Sequence, residues 1–243
     1  MNILAFESSA KAASVALLRD GALLAEYTQN SGQTHSRTLM QMAEDLLRNC
    51  DLSVKDVDAA AVAAGPGSFT GVRIGMAAAK GLAWGREIPC CGVSTLEAMA
   101  LGAALCDGVY CACMDARREQ IYQASFRMEN GTLTRLCEDR AISLALLQEE
   151  VKKVEEPVFL VGDGALLCYN TLKDAVPALR LLPEHLRQQR AAGVALAAYR
   201  SMMAGQSASA LHLTPAYLRP SQAERTRMET LNKKNSIQTE GKE

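Results

Sequence analysis

The stretch Gly65-Pro66-Gly67-Ser68-Phe69-Thr70-Gly71-Val72-Arg73-Ile74-Gly75 concentrates residue types that could cradle a small ligand. Its four glycines and proline let a backbone turn sharply and approach another group closely. Ser68 and Thr70 add hydroxyls, and a helix beginning near Val72 would aim its first free N–H groups at the same spot, which attracts an anion. A tight packing turn, with Gly71 and Gly75 only bringing a helix near its neighbour, explains the spacing equally well. No Gly-Lys-Ser/Thr follows, so this is not a Walker loop, and the dinucleotide fingerprint is absent as well. Two carboxylates could work beside it. Glu7, followed by Ser8, closes an apolar strand-like run, and Asp115 opens the charged cluster Asp115-Ala116-Arg117-Arg118-Glu119. For Glu7 the plainer reading is a strand-end cap, and for Asp115 a solvated turn network. Gly162-Asp163-Gly164 is a third turn that could face an anion. The histidines are His35, His185 and His212, no two within one helical turn, so no helix-borne imidazole pair can hold a metal. There is no Gly-x-Ser-x-Gly elbow for a hydrolase.

Positioning those groups requires strands that end at them. Residues 2–7, 13–18 and 22–28 form three short strand patterns, with Asp20-Gly21 as a hairpin turn. A helix over 35–50 follows, then a strand over 59–64, the glycine loop, and a helix over 72–84. A strand at 88–93 and a helix at 95–105, capped by Ser94 with Glu97 in its first turn, complete the set. Strands at 109–114, 120–128 and 132–137, joined in part by Asn130-Gly131, repeat the meander, and helix 143–153, strand 157–161 and helix 165–174 repeat the rest. This order predicts an α/β fold of two ribonuclease-H-like lobes, the actin-like ATPase arrangement, with residues 1–106 as the complete lobe and 107–225 as a smaller copy closed by helix 191–204. Residues 226–243 offer little to bury and are expected to be disordered.

Composition narrows the functional classes. The 243-residue chain is 49% apolar, enough for a real core, and its net charge of −1 gives no overall footprint for nucleic acid or an anionic membrane. Any service to RNA is therefore expected to be indirect. No uncharged apolar run reaches membrane-spanning length and no leader pattern opens the chain, so a cytoplasmic protein is expected. The eight cysteines sit mostly in apolar runs without a Cys-x-x-Cys pair, as buried reduced thiols would.

The string Gly65 to Gly75 closely resembles the signature of the TsaB (YeaZ) family, the bacterial subunit needed to make threonylcarbamoyladenosine in tRNA. Ile3-Leu4-Ala5-Phe6-Glu7-Ser8-Ser9, Met114 to Tyr122 and Pro215-Ala216-Tyr217-Leu218-Arg219 agree with that resemblance, which extends to about residue 225. It implies a non-catalytic scaffold that pairs with TsaD, with TsaE joining the pair, and that forms homodimers when TsaD is absent. TsaD would transfer threonylcarbamoyl to the adenosine beside the anticodon in tRNAs reading codons that begin with A. The TsaD paralogue holds its metal with a His-x-x-x-His pair, and here Leu39 stands where the partner of His35 would be. No firm cofactor follows, at most weak ATP or ADP, with metal and ATP held by partner subunits. In actin-like ATPases a strand-end carboxylate faces the bound phosphates, and Glu7 occupies that place. Glu7, Ser8, Gly67, Ser68, Thr70 and Asp115 are thus the candidates to face a nucleotide or anion. The alternative is an independent ATP-dependent enzyme of the sugar-kinase class built on Glu7 and Asp115.

The apolar positions of helix 35–50 span roughly 160° of the wheel, more than the ~100° one core needs. The surplus, together with small residues along helix 72–84, could form a helical bundle with a second chain. Leu39, Met40, Ala43, Leu47, Gly71, Gly75, Met76 and Ala79 are the expected contact residues. The competing reading is that both faces are covered within this chain.

Overall fold

The structure is a computed structural model and describes residues 1–117, 119–206 and 209–219. The expected disordered tail, 226–243, and Arg118 lie outside the described residues.

The first sheet is built from β1 (Asn2–Glu7), β2 (Ala13–Arg19), β3 (Ala22–Gln29), β4 (Ala59–Gly65) and β5 (Cys90–Ser94), in the order β3-β2-β1-β4-β5. β1, β2 and β3 form the antiparallel meander, while β4 and β5 run parallel to β1. The Asp20-Gly21 turn has positive φ at both residues, the geometry that matches strand twist in a two-residue hairpin. Helix α1 (His35–Asn49) and helix α2 (Phe69–Arg86) cover one face, and α3 (Thr95–Ala103) leads out of the lobe. α2 starts at Phe69, three residues before the expected Val72, because Ser68 caps it: its hydroxyl accepts from the Gly71 N–H at 3.3 Å.

The second sheet contains β6 (Gly108–Asp115), β7 (Gln120–Glu129), β8 (Thr132–Arg135), β9 (Arg140–Ser143), β10 (Val158–Val161) and β11 (Leu179–Leu181). Its order is β11-β10-β6-β7-β8, with β9 also paired to β7. The short strands β9 and β11 escaped the sequence reading because three or four residues carry too little periodicity. Helices α4 (Leu144–Val151) and α5 (Ala165–Leu172) pack on one face; a short α6 (Glu184–Arg187) precedes α7 (Ala191–Met203).

Both faces of β1 are buried, Leu4 and Phe6 against α1 and α2, Ile3 and Ala5 against α7. That explains why its sequence is continuously apolar rather than alternating. α7 belongs spatially to the first sheet, although the sequence placed it in the 107–225 lobe. Its Gly193 lies so close to α3 that an added Cβ would fall 2.0 Å from the Ala98 carbonyl oxygen. Residues 209–219 also return to the first lobe: Leu213 is buried over Gly92, and the Ala216 N–H donates to the Ala64 carbonyl at 2.7 Å. The expected split at residue 107 therefore follows the chain but not the packing. α3 serves both halves, its Leu96, Met99 and Ala100 packing on Tyr110, Ala112 and Met114 of β6.

Candidate functional site

The ends of β1 and β4 and the start of α2 meet at one edge of the first sheet, and the ends of β6 and β10 meet the same place from the second. Between them lies a cleft of about 570 Å³ lined by Ser9, Lys11, Ser68, Thr70, Asp115 and Asp163, among others. This is the crevice at strand C-termini where open α/β sheets hold ligands.

The glycine loop reaches it by close backbone approach. A Cβ on Gly67 would sit 2.6 Å from the Ser9 carbonyl oxygen, and one on Gly71 only 2.0 Å from that of Ser8. The Ser68 N–H donates to the Ser9 carbonyl at 2.7 Å, and the Ser8 hydroxyl donates to the Gly71 carbonyl at 2.8 Å. The β1–β2 connection thus rests directly on the first turn of α2. Segment 215–219 straps the loop from outside. Tyr217 stacks on Phe69 with ring centroids 4.3 Å apart, Arg73 donates to the Tyr217 hydroxyl at 2.8 Å, and Arg219 crosses to the second lobe to donate to the Ala116 carbonyl at 2.8 Å.

Among the residues expected to face a nucleotide, Gly67, Ser68, Thr70 and Asp115 line the cleft. Ser8 does not: it is buried and its hydroxyl is spent on Gly71. Glu7 is fully buried beneath Ser9, whose N–H donates to its Oε1 at 2.6 Å, while Oε2 has no partner. Burial raises its pKa to about 7, and the charge of Asp163 adds to the rise. Asp163 is itself raised by burial despite the Gln189 amide that donates to it at 2.8 Å. Sequence spacing missed Asp163 as a charge that acts on Glu7, and Gln189 as its partner, because they come from the second lobe and the approach to α7. Asp115 also accepts from the Arg117 N–H at 2.7 Å within its own turn. Its position in the cleft came from the sheet, not from its own cluster.

The expected contact residues need correction. Leu39, Ala43 and Leu47 of α1 and Gly71, Gly75, Met76 and Ala79 of α2 are buried inside this chain. Gly71 and Gly75 pack against Ser8, and Met76 and Ala79 join the core under α1. Of that set only Met40 is exposed, at 51%. The wheel puts Met40 and Leu47 about 20° apart, yet Leu47 lies on the core side of that boundary. What α2 leaves bare is its opposite stripe: Ala77, Gly81, Trp84 and Gly85 are exposed, and nothing lies within 4 Å of a Cβ built on either glycine.

Comparison with known proteins places this architecture. Residues 23–226 match the family described as "TsaD: tRNA N6-adenosine threonylcarbamoyltransferase". The tRNA threonylcarbamoyladenosine biosynthesis protein TsaB of Bacillus subtilis is 37% identical over 72% of this chain and 77% of its own length. Its Escherichia coli counterpart is 34% identical over 90% of this chain and 95% of its own. The crystal structure of YeaZ from Pseudomonas aeruginosa superposes with a TM-score of 0.72 at 26% identity, covering 89% of this chain and 99% of that one. Two lobes of ribonuclease-H-like order, a glycine loop seated on the first strand's end, and relatives matching most of the chain agree: the chain belongs to the TsaB (YeaZ) family of tRNA threonylcarbamoyladenosine biosynthesis proteins.

Proposed function

We propose that this chain is a non-catalytic partner subunit. It activates a TsaD transferase, and with TsaE it supports transfer of threonylcarbamoyl to the adenosine beside the anticodon. The observation that carries this reading is the bare outer stripe of α2. Ala77, Gly81 and Gly85 let another helix approach closely, and Trp84, 66% exposed, stands beside them as a large apolar anchor. Met40 on α1 is a further exposed apolar side chain. In this reading the protein is cytoplasmic, meets tRNA only through the complex, and uses the same helices for a homodimer when TsaD is absent.

The cleft supports a secondary role at most. Its volume suits a nucleotide, but the carboxyl that would face bound phosphates is buried under Ser9 and held toward its neutral form. Weak ATP or ADP binding fits this arrangement better than turnover. No described helix is long and apolar enough to cross a membrane.

Co-purification with TsaD from the same organism tests the reading. Met40→Asp combined with Gly81→Glu should leave a folded protein that no longer pairs with TsaD and no longer supports tRNA modification in reconstitution. Retained pairing and modification would refute this interface; no pairing even by the wild type, with Mg-ATP turnover by the isolated chain, would establish the kinase-like alternative instead.

A further inference from the structure

The exposed face of α2 continues past Gly85 into a groove of about 730 Å³. Its lining comes from Trp84, Ile88 and the buried Ala83 at the end of α2, and from Leu211 and the buried Ala210 of the returning segment 209–219. Trp84 is 66% and Leu211 63% exposed, so two large apolar side chains of one groove stand in water, which marks a contact surface. Among the described residues one charged side chain lines this groove, Glu87, which is exposed and has no ion-pair partner among them. The cations of α2 near it are turned elsewhere: Lys80 donates to the Leu213 carbonyl at 3.0 Å, and Arg86 to the Val54 and Lys55 carbonyls at 3.1 and 2.8 Å. Apolar walls with an uncompensated negative charge call for a large apolar side chain that has a lysine or arginine beside it.

The helix geometry shows how such a group would arrive. Ala77, Gly81 and Gly85 follow one another every four residues, a row about 12 Å long on one side of α2. Trp84, three residues after Gly81, borders that row and lines the groove as well. A helix seated along the row therefore runs off its end onto the groove. We infer that the groove is a socket at the end of the α2 docking face: it takes a leucine or phenylalanine side chain of the seated TsaD helix between Trp84 and Leu211, and sets a lysine or arginine of that helix against Glu87. This deepens the partner-subunit reading and rests on it. The socket gives the contact its register. The row of small residues is alike at each four-residue step and permits sliding by one turn, whereas a filled groove and a paired Glu87 allow one position.

Titration calorimetry of the full-length chain with TsaD from the same organism tests the socket, using variants that leave the small-residue row intact. Leu211→Asp changes an exposed side chain outside α2, so the free protein should melt as wild type does while TsaD affinity falls about thirtyfold. Glu87 sits just past α2 at a left-handed φ of 53°, where glycine is relaxed, so Glu87→Gly should melt no lower than wild type. Its affinity should be about fivefold below wild type at low salt, and that of Glu87→Lys about tenfold or more below, with both ratios approaching one at about 1 M salt. Gly81→Gln reads the row itself. If it abolishes pairing while Leu211→Asp and both Glu87 variants bind as wild type does, the socket is overturned and the α2 face stands. If Gly81→Gln pairs normally, or the wild type does not pair, the partner-subunit reading fails and the socket with it. If Leu211→Asp splits a homodimer of the isolated chain in sedimentation and leaves TsaD affinity unchanged, the groove belongs to a second copy and its assignment to TsaD is overturned.

Discussion

Two glycines of the same helix should respond oppositely to the same methyl group. In Gly71→Ala the new Cβ would lie 2.0 Å from the Ser8 carbonyl oxygen and 3.2 Å from its carbon. Both are backbone atoms that also anchor β1, so α2 or the β1 end must shift. Overpacking of this kind costs about 1–3 kcal/mol, and displacing backbone puts this site at the upper end. The ordinary gain from replacing a helical glycine, about 1 kcal/mol, offsets only part of it. A net loss of about 2 kcal/mol corresponds to a fall in Tm of about 4–8 °C for a domain of this size. In Gly81→Ala nothing lies within 4 Å of the new methyl. Only the propensity term operates there, and the free chain should gain about 0.5–1 kcal/mol and about 2 °C. Binding should reverse the order. If a TsaD helix seats on the outer stripe, Gly81→Ala should weaken pairing about tenfold and Gly81→Gln should abolish it. Differential scanning calorimetry of each variant, followed by titration with TsaD, reads both effects. A Gly71→Ala protein more stable than wild type would refute the packing argument; a Gly81→Gln protein that binds TsaD normally would refute the interface.

Other perturbations separate core from surface in the same way. Leu47→Asp buries a charge inside the α1 core and should give insoluble or unfolded protein, whereas Met40→Asp should match wild type in circular dichroism and melting. Glu7 should make the fold less stable as pH rises from 4.5 to about 7, because the native state binds that proton more tightly than the unfolded chain; the contribution is full below 4.5 and gone above 7. Urea melts at pH 5 and pH 8 should show this slope, of order 3 kcal/mol across the window, and Glu7→Gln should flatten it. Tyr217→Ala removes the stack on Phe69 and the acceptor for Arg73. Limited proteolysis should then cut within 209–219 several-fold faster than in wild type, and cleavage no faster than in wild type would show that the strap is held elsewhere.

Local patterns settled much of this fold before any contact was known. Two-residue turns at Asp20-Gly21 and Asn130-Gly131 force hairpins because their residues tolerate positive φ. Apolar periodicity marked β1 to β8, β10 and α1 to α5 closely enough to give the meander-helix-strand-helix order twice. Ser68 and Ser94 set helix starts by capping, although the first was placed three residues late because Phe69-Thr70-Gly71 reads as loop. The glycine loop was legible as a close-approach turn; what it approaches was not. Only the tertiary structure put Ser8 against Gly71, sank Glu7 beneath Ser9, brought the charge of Asp163 to bear on it from over 150 residues away, and set Gln189 on Asp163. It also returned α7 and residues 209–219 to the first lobe, since an apolar helix carries no label for the sheet it will cover. The same limit governed the helix faces. A wheel reports how wide an apolar arc is, but which edge of that arc meets the core depends on the sheet beneath, and here that choice buried Leu47 and left Met40, Gly81 and Trp84 in solvent.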